Sequence, residues 1–167
     1  MDPAIITNSG VGELLVVRNV ANLVPAYEEA GASQCTVNAA LELSLEHLDV
    51  EHVIVMGHSR CGGIASLVNR VRDGRAVKTG LDMWTAMVEQ AAIDAVNTFT
   101  SESEESQYCY CSRQALSISL ANLLGYPNVR KAVDKGRLSL HGWYLSIGDG
   151  ELEEINQQTG EFFSLLS

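Results

Sequence analysis

The sequence predicts an α/β fold, with a mostly parallel central sheet flanked by helices and a strand hairpin at the carboxyl end. Two apolar runs, Leu14–Val17 and Val53–Met56, are continuous rather than alternating, which is typical of strands covered on both faces. A helical pattern lies between them, and the order strand, helix, strand calls for a right-handed parallel crossover. Near the carboxyl end, Leu138–Ile147 instead alternates between apolar and polar residues, as a strand with one buried face does.

The amino-terminal half supplies the first two strands. Apolar residues at helical spacing predict the helices, and Gly74 ends the second of them. The expected elements are a strand over Glu13–Arg18, a helix over Thr36–Leu48, a strand over Val53–Met56 and a helix over about Ile64–Arg72.

The carboxyl-terminal half is mainly helical before its strands. Tyr126-Pro127 closes one helix, because proline cannot continue it, and Gly148–Gly150 turns the last long strand back. The expected elements are a helix over Met83–Phe99, a solvated loop or helix end over Ser101–Gln107, a helix over Ala115–Leu124, a short helix over Asn128–Lys135, a strand over Leu138–Ile147 and its hairpin partner over Glu151–Asn156.

Composition limits the classes of partner. The 167 residues, 46% of them apolar, fit a single domain over residues 1–167. A net charge of −10 argues against nucleic acid and against an anionic membrane, because phosphate binding needs clustered lysine and arginine. Without a long apolar span or a secretion signal, we expect a cytoplasmic protein with reduced cysteines.

The strongest chemical signal is the His-x-x-Cys pair, His58 and Cys61, directly after the Val53–Met56 strand. An imidazole and a thiolate on one tight turn suit zinc, which accepts nitrogen and sulfur ligands in a tetrahedral shell. Arg60, Gly62 and Gly63 shape the turn, and the two glycines let the backbone pack close to a metal. A catalytic zinc site needs at least one more protein ligand.

Other cysteines and histidines are weaker candidates. Cys35 is the candidate substitute zinc ligand, because it begins the helix before the second strand, where a helix start favours thiolate. Cys109 and Cys111 are spaced too tightly for a metal pair and are expected to be structural thiols. The remaining histidines are expected to be solvated, capping or packed: His47, His52 and His141.

A hydrolase remains a rival interpretation of the same turn. Strand, turn and helix are in the order of a nucleophile elbow, with Ser59 as nucleophile, Asp134 as acid and His141 as base. Cys61 stands where the elbow needs glycine, and no oxyanion loop is evident, which argues against this interpretation.

Several blocks of sequence, in order along the chain, resemble the β-class carbonic anhydrases. The matching blocks are Asp2-Pro3, Val16–Asn22, Gly57–Gly63, Ser119–Leu124, Leu140–Tyr144 and Thr159-Gly160. The resemblance implies reversible hydration of carbon dioxide to bicarbonate, a homo-oligomer (a dimer or larger) and one zinc ion per chain, with His58 and Cys61 as two of its ligands.

One part of the family's site is absent from the chain. The resemblance implies a further zinc-binding cysteine and an aspartate–arginine dyad on a Cys-x-Asp-x-Arg strand upstream of Asp2, and no such sequence occurs here. The catalytic residues are therefore unknown. We expect an amino-terminally truncated domain whose activity is impaired or absent, and the alternative to an enzyme is a non-catalytic remnant that folds or associates through the family's dimer surface.

Overall fold

A computed structural model of the chain describes residues 2–27 and 36–165. Within these ranges the helices are α1 (Pro3–Thr7), α2 (Thr36–Glu46), α3 (Gly62–Arg72), α4 (Gly80–Thr85), α5 (Glu89–Thr98), α6 (Glu104–Leu123) and α7 (Pro127–Asp134), with 3-10 turns at Val20–Asn22 and Ala86–Val88. The strands are β1 (His52–His58), β2 (Ser139–Leu145), β3 (Leu152–Ile155) and β4 (Phe162–Ser164). Among these described helices, none is long and apolar enough to cross a membrane.

The strands form one sheet in the order β1, β2, β3, β4. β1 and β2 are parallel, with Val55 opposite Gly142 and His58 opposite Leu145. The β2–β3 and β3–β4 pairs are antiparallel. The predicted α/β class is confirmed, and the sheet is mixed, with its described parallel pair joined by the long crossover that carries α3 to α7.

Helix α6 lies between the two hydrophobic cores of the described chain. One side of α6, with Cys111 and Ala115, packs against α3 and α5. The other side, with Leu116 and Leu120, packs against the sheet. At Gly142 the helix comes so close to β2 that an added Cβ would lie 2.6 Å from Leu120 Cδ1. The contact explains why glycine stands in the middle of a strand.

The prediction of a strand over Glu13–Arg18 is wrong. Leu14–Val17 run without strand pairing, and their side chains are 37% to 48% exposed. An apolar run becomes a strand only when a partner supplies the hydrogen bonds, and in the described residues β2 is the strand that pairs with β1. The parallel crossover expected before Val53 is therefore not formed there.

The helix predicted over Met83–Phe99 is divided into α4, a 3-10 turn and α5. Thr79 and Asp82 form a capping box that begins α4, and Val88, with φ −122° and ψ 26°, breaks the helical path before α5. The serine- and glutamate-rich segment forms a helix end, because Ser103 caps α6 and two glutamates occupy its first turn.

Candidate metal centre

The turn between β1 and α3 brings His58 and Cys61 together. His58 is the last residue of β1, and Cys61 is the N-cap of α3. Between them Arg60 has a left-handed backbone, with φ +58°, which costs a non-glycine residue about 1 kcal/mol. The Arg60 side chain is 67% exposed and lies 3.6 Å from a carboxylate oxygen of Glu105. Arg60 therefore shapes the turn through its backbone, while its guanidinium faces solvent.

The imidazole of His58 is held in one tautomer. Its Nδ1 lies 2.8 Å from the backbone carbonyl oxygen of Ser59. Because a carbonyl oxygen only accepts, Nδ1 carries the hydrogen and Nε2 of the neutral ring keeps its lone pair. A histidine that donates one ring N–H to a carbonyl and offers the other nitrogen to an ion is the usual arrangement in metal sites.

Cys61 is prepared to ionise. Burial by itself raises the pKa of this thiol, but hydrogen bonds from His58 and from the backbone N–H groups of Ile64 and Gly63 lower the pKa below that of an ordinary cysteine. The hydrogen bond to Cys61 is in turn the main reason why the pKa of His58 is raised. The pair therefore favours a thiolate that shares a proton with His58, and an ion that displaces this proton would meet the thiolate and the imidazole nitrogen together.

The 3-10 turn Val20–Asn22 packs against the turn that carries His58 and Cys61, called the metal turn below. An added Cβ on Gly63 would lie 2.6 Å from Val20 Cγ1, and one on Gly57 would lie 3.4 Å from Asn22 Oδ1. Nothing lies within 4 Å of a Cβ on Gly62. Gly63 is thus required for close packing against Val20, and the prediction that both glycines let the backbone approach a metal stays a prediction.

The loop that carries this support is itself tied to α6. The Ser119 hydroxyl accepts from the backbone N–H of Val24 at 3.2 Å and donates to the carbonyl oxygen of Asn22 at 3.1 Å. The Asn122 amide donates to the carbonyl oxygen of Val24 at 2.8 Å. The sequence analysis assigned no function to Ser119, Asn122 or Asn22, although these three residues lie in two of the blocks that match the family.

The described residues supply two of the ligands that a zinc ion needs. Residues 2–27 and 36–165 contain no group of three or more His, Cys, Asp or Glu side chains placed to hold one ion. His58 and Cys61 fit zinc in donor type, tautomer and thiolate character, so the chain accommodates part of the metal's shell. Cys35, the candidate substitute ligand, lies outside the described residues.

The two cysteines of α6, Cys109 and Cys111, do not contribute to this metal centre. Cys111 is fully buried in α6, and burial raises its pKa to about 12, as expected of a structural thiol. Cys109 accepts a hydrogen bond from the Tyr144 hydroxyl at 3.7 Å. Neither residue belongs to a metal-binding group in the described chain.

The structure does not assemble the hydrolase triad. Ser59 Oγ accepts a hydrogen bond from the backbone N–H of Ile147 at 2.8 Å. His141 lies opposite Ile54, four residues before His58 along β1, which corresponds to about 13 Å of strand. Its imidazole contacts His52 and Glu154 rather than Ser59 or Asp134.

Comparison with known proteins identifies the family. The carbonic anhydrase family model matches residues 1–152. Beta carbonic anhydrase 3 of Arabidopsis thaliana is 35% identical over 168 residues, covering 99% of this chain and 64% of that protein. The chloroplastic beta carbonic anhydrase 5 of the same plant is 35% identical over 152 residues, covering 91% of this chain and 49% of that protein. The chain thus spans half to two thirds of the length of these curated relatives.

Solved structures give the same result for the fold. The β-carbonic anhydrase CcaA superposes with a TM-score of 0.82 at 30% identity, covering 98% of this chain and 78% of that one. A tetrameric β-carbonic anhydrase of Sordaria macrospora superposes with a TM-score of 0.76 at 23% identity, covering 99% and 75% of the two chains. The second likeness is one of fold alone.

Proposed function

Because the chain belongs to the β-class carbonic anhydrase family, we propose that it acts in the zinc-dependent, reversible hydration of carbon dioxide to bicarbonate and a proton. The observation that carries the proposal is the His58–Cys61 pair, in which an oriented imidazole and a favoured thiolate lie on one turn and share a proton that an ion could displace. β-Carbonic anhydrases are in general zinc enzymes, and this pair has the donor types that zinc prefers.

The chain's own residues would prepare such a site in two ways. Cys61 offers a thiolate that the backbone N–H groups of Gly63 and Ile64 stabilise. Ser59 orients the imidazole of His58 through its carbonyl oxygen. Zinc, when bound, lowers the pKa of water to roughly 7 and so makes hydroxide available at neutral pH.

A catalytic zinc site needs a third protein ligand, which we place outside the described residues. Cys35 is the candidate that this sequence offers. We also propose that the protein is cytoplasmic and forms a homo-oligomer, a dimer or larger. The tetrameric relative from Sordaria macrospora supports the second of these proposals.

The alternative function is a non-catalytic protein that folds or associates through the family's dimer surface. Two observations favour it. The described residues supply only two zinc ligands, and Leu14–Val17 expose apolar surface of the kind that protein contacts cover. This alternative predicts oligomerisation without turnover.

Zinc content and carbon dioxide hydration, measured on the same preparation, separate the two functions. We expect about one zinc per chain by elemental mass spectrometry after dialysis, and hydration in stopped-flow assays with a pH indicator. Cys61→Ser and Cys35→Ser should each lose the zinc, whereas Cys109→Ser, at a half-buried thiol of α6, should retain it. Zinc near zero, with no hydration, would establish the non-catalytic alternative instead.

A further inference from the structure

We propose that His52 and His141 form a second metal site, which binds a divalent transition ion such as Ni²⁺ or Zn²⁺ through two imidazole nitrogens. His52 begins β1, at the opposite end from His58, and His141 lies on the neighbouring strand β2. His58 is six positions after His52, which corresponds to about 20 Å along a strand. The paired-histidine site is thus separate from the His58–Cys61 centre.

The strand register places both histidines on one face of the sheet. His141 lies opposite Ile54, and His52 is two residues before Ile54. Side chains two apart on a strand share a face, and diagonal neighbours across a strand pair are within reach of aromatic side chains. The ring centroids of His52 and His141 are 5.2 Å apart, and His52 Nδ1 lies 3.1 Å from His141 Nε2.

Glu154 fixes which nitrogen of His141 is free. Its carboxylate oxygen lies 2.7 Å from His141 Nδ1, and a carboxylate in contact with a ring N–H accepts that hydrogen. The Nε2 of neutral His141 therefore has a bare lone pair that points at His52. A carboxylate that orients a histidine in this way is the common outer-shell partner of metal-binding imidazoles.

The gap between the two nitrogens has the width that a metal requires. Two nitrogens bound at about 2.0–2.1 Å, at angles between 90° and the tetrahedral value, are about 2.9–3.4 Å apart. The observed 3.1 Å falls inside this range. In the metal-free protein a proton on His52 Nδ1 occupies the gap, and binding requires that this proton leave and that the two rings turn slightly so that both lone pairs face the ion.

The remaining coordination positions would be filled by water. No described group of three or more His, Cys, Asp or Glu side chains is placed to hold one ion, so Glu154 acts as an orienting residue rather than a ligand. His52 is exposed, which leaves the site open to solvent. Imidazole suits nickel, copper and zinc, and the net charge of −10 favours a cation.

Titration of the protein with Ni²⁺ at pH 7.5, followed by calorimetry, tests the site, because Ni²⁺ does not oxidise thiols. A second imidazole on the same scaffold should raise affinity about a hundredfold, so His52→Gln should weaken Ni²⁺ binding by about that factor. Glu154→Gln should weaken it about tenfold, as loss of an outer-shell partner does. His47→Gln, at another exposed histidine, is the matched control and should bind as the parent does.

Measurement in a Cys61→Ser background separates this site from the first centre. Calorimetry should still detect Ni²⁺ binding in this background. In ¹⁵N spectra, the backbone amide signals of His141 and Gly142 should broaden when substoichiometric Ni²⁺ is added. Equal binding by His52→Gln and His47→Gln would overturn the proposal. Loss of Ni²⁺ binding in the Cys61→Ser background would also overturn it, because the binding would then belong to the His58–Cys61 centre.

Discussion

The hydroxyl oxygen of Ser59 accepts a hydrogen bond from the backbone N–H of Ile147 at 2.8 Å, which connects the turn after β1 to the segment directly after β2. The Ser59 N–H also donates to the carbonyl oxygen of Leu145 at 2.9 Å. Since the carbonyl of Ser59 accepts from His58, one serine connects the candidate zinc ligand to the neighbouring strand.

Replacing Ser59 with alanine should loosen this connection. We expect the free energy of unfolding to fall by about 1 kcal/mol, the usual contribution of one hydrogen bond. Zinc should also dissociate faster, because the turn that orients His58 is less constrained. Urea denaturation and zinc release to a chelator measure the two effects. Ser139→Ala, at an exposed serine of β2, is the control, and equal behaviour of the two variants would contradict the prediction.

Alanine at Gly63 should disturb the metal turn, whereas alanine at Gly62 should not. A Cβ on Gly63 would meet Val20 Cγ1 at 2.6 Å and Ala21 Cβ at 3.4 Å. Overpacking of this kind typically costs about 1–3 kcal/mol. Movement of the first turn of α3 should also weaken zinc binding, because the N–H groups of Gly63 and Ile64 face the thiolate.

The matched substitution Gly62→Ala meets nothing within 4 Å. Alanine is a better helix former than glycine, so we expect a stability between unchanged and about 1 kcal/mol higher. Thermal unfolding and zinc content of the two variants test the pair of predictions. A Gly62→Ala variant that loses as much zinc as Gly63→Ala would show that packing against Val20 is not the reason.

Ser119→Ala should destabilise the protein by about 2 kcal/mol, because it leaves two backbone groups without partners. Those groups are the N–H of Val24 and the carbonyl of Asn22, and Ser119 is 1% exposed. The control is Ser117→Ala on the same helix, whose hydroxyl donates to the carbonyl of Arg113 one turn earlier. That variant should change stability by less than about 0.5 kcal/mol. Chemical denaturation of both measures the difference, and similar losses would refute the assigned role of Ser119.

The sequence predicted those features that local pattern determines. The helical periodicity of Ala115–Leu124 correctly predicted the second half of α6. The apolar run Val53–Met56 correctly predicted β1. His58 and Cys61 were found because both ligand candidates lie on one turn. For such features the neighbours in sequence are also the neighbours in space.

The features that the sequence analysis predicted wrongly or missed depend mainly on contacts between residues that are distant in the chain. Leu14–Val17 have a strand's composition, but composition does not reveal whether another strand is present to pair with them. The break before α5 depends on the backbone of Val88, which no glycine or proline marks. Likewise, the contact of His52 with His141 depends on a register between strands 89 positions apart.

Acid should destabilise the protein partly through Asp82. Its carboxylate accepts from the backbone N–H groups of Thr79 and Lys78, and these bonds hold the pKa of Asp82 below its ordinary value. A carboxyl whose pKa is lower in the folded state contributes stability above its unfolded pKa of about 3.9. That contribution is lost as the pH falls through the folded-state pKa.

Asp82→Asn removes the titrating group while keeping its shape, so the variant should be less stable than the parent at pH 7 and should lose less stability on acidification. Thermal unfolding of both proteins between pH 7 and pH 2 measures this, since the other carboxyl groups cancel in the difference. Thr79→Ala is the control, because it breaks the other half of the capping box but leaves Asp82 and its backbone donors in place. This control should lower the melting temperature and keep most of the pH dependence. Parallel pH profiles for the parent and Asp82→Asn would mean that this capping box does not contribute to acid sensitivity.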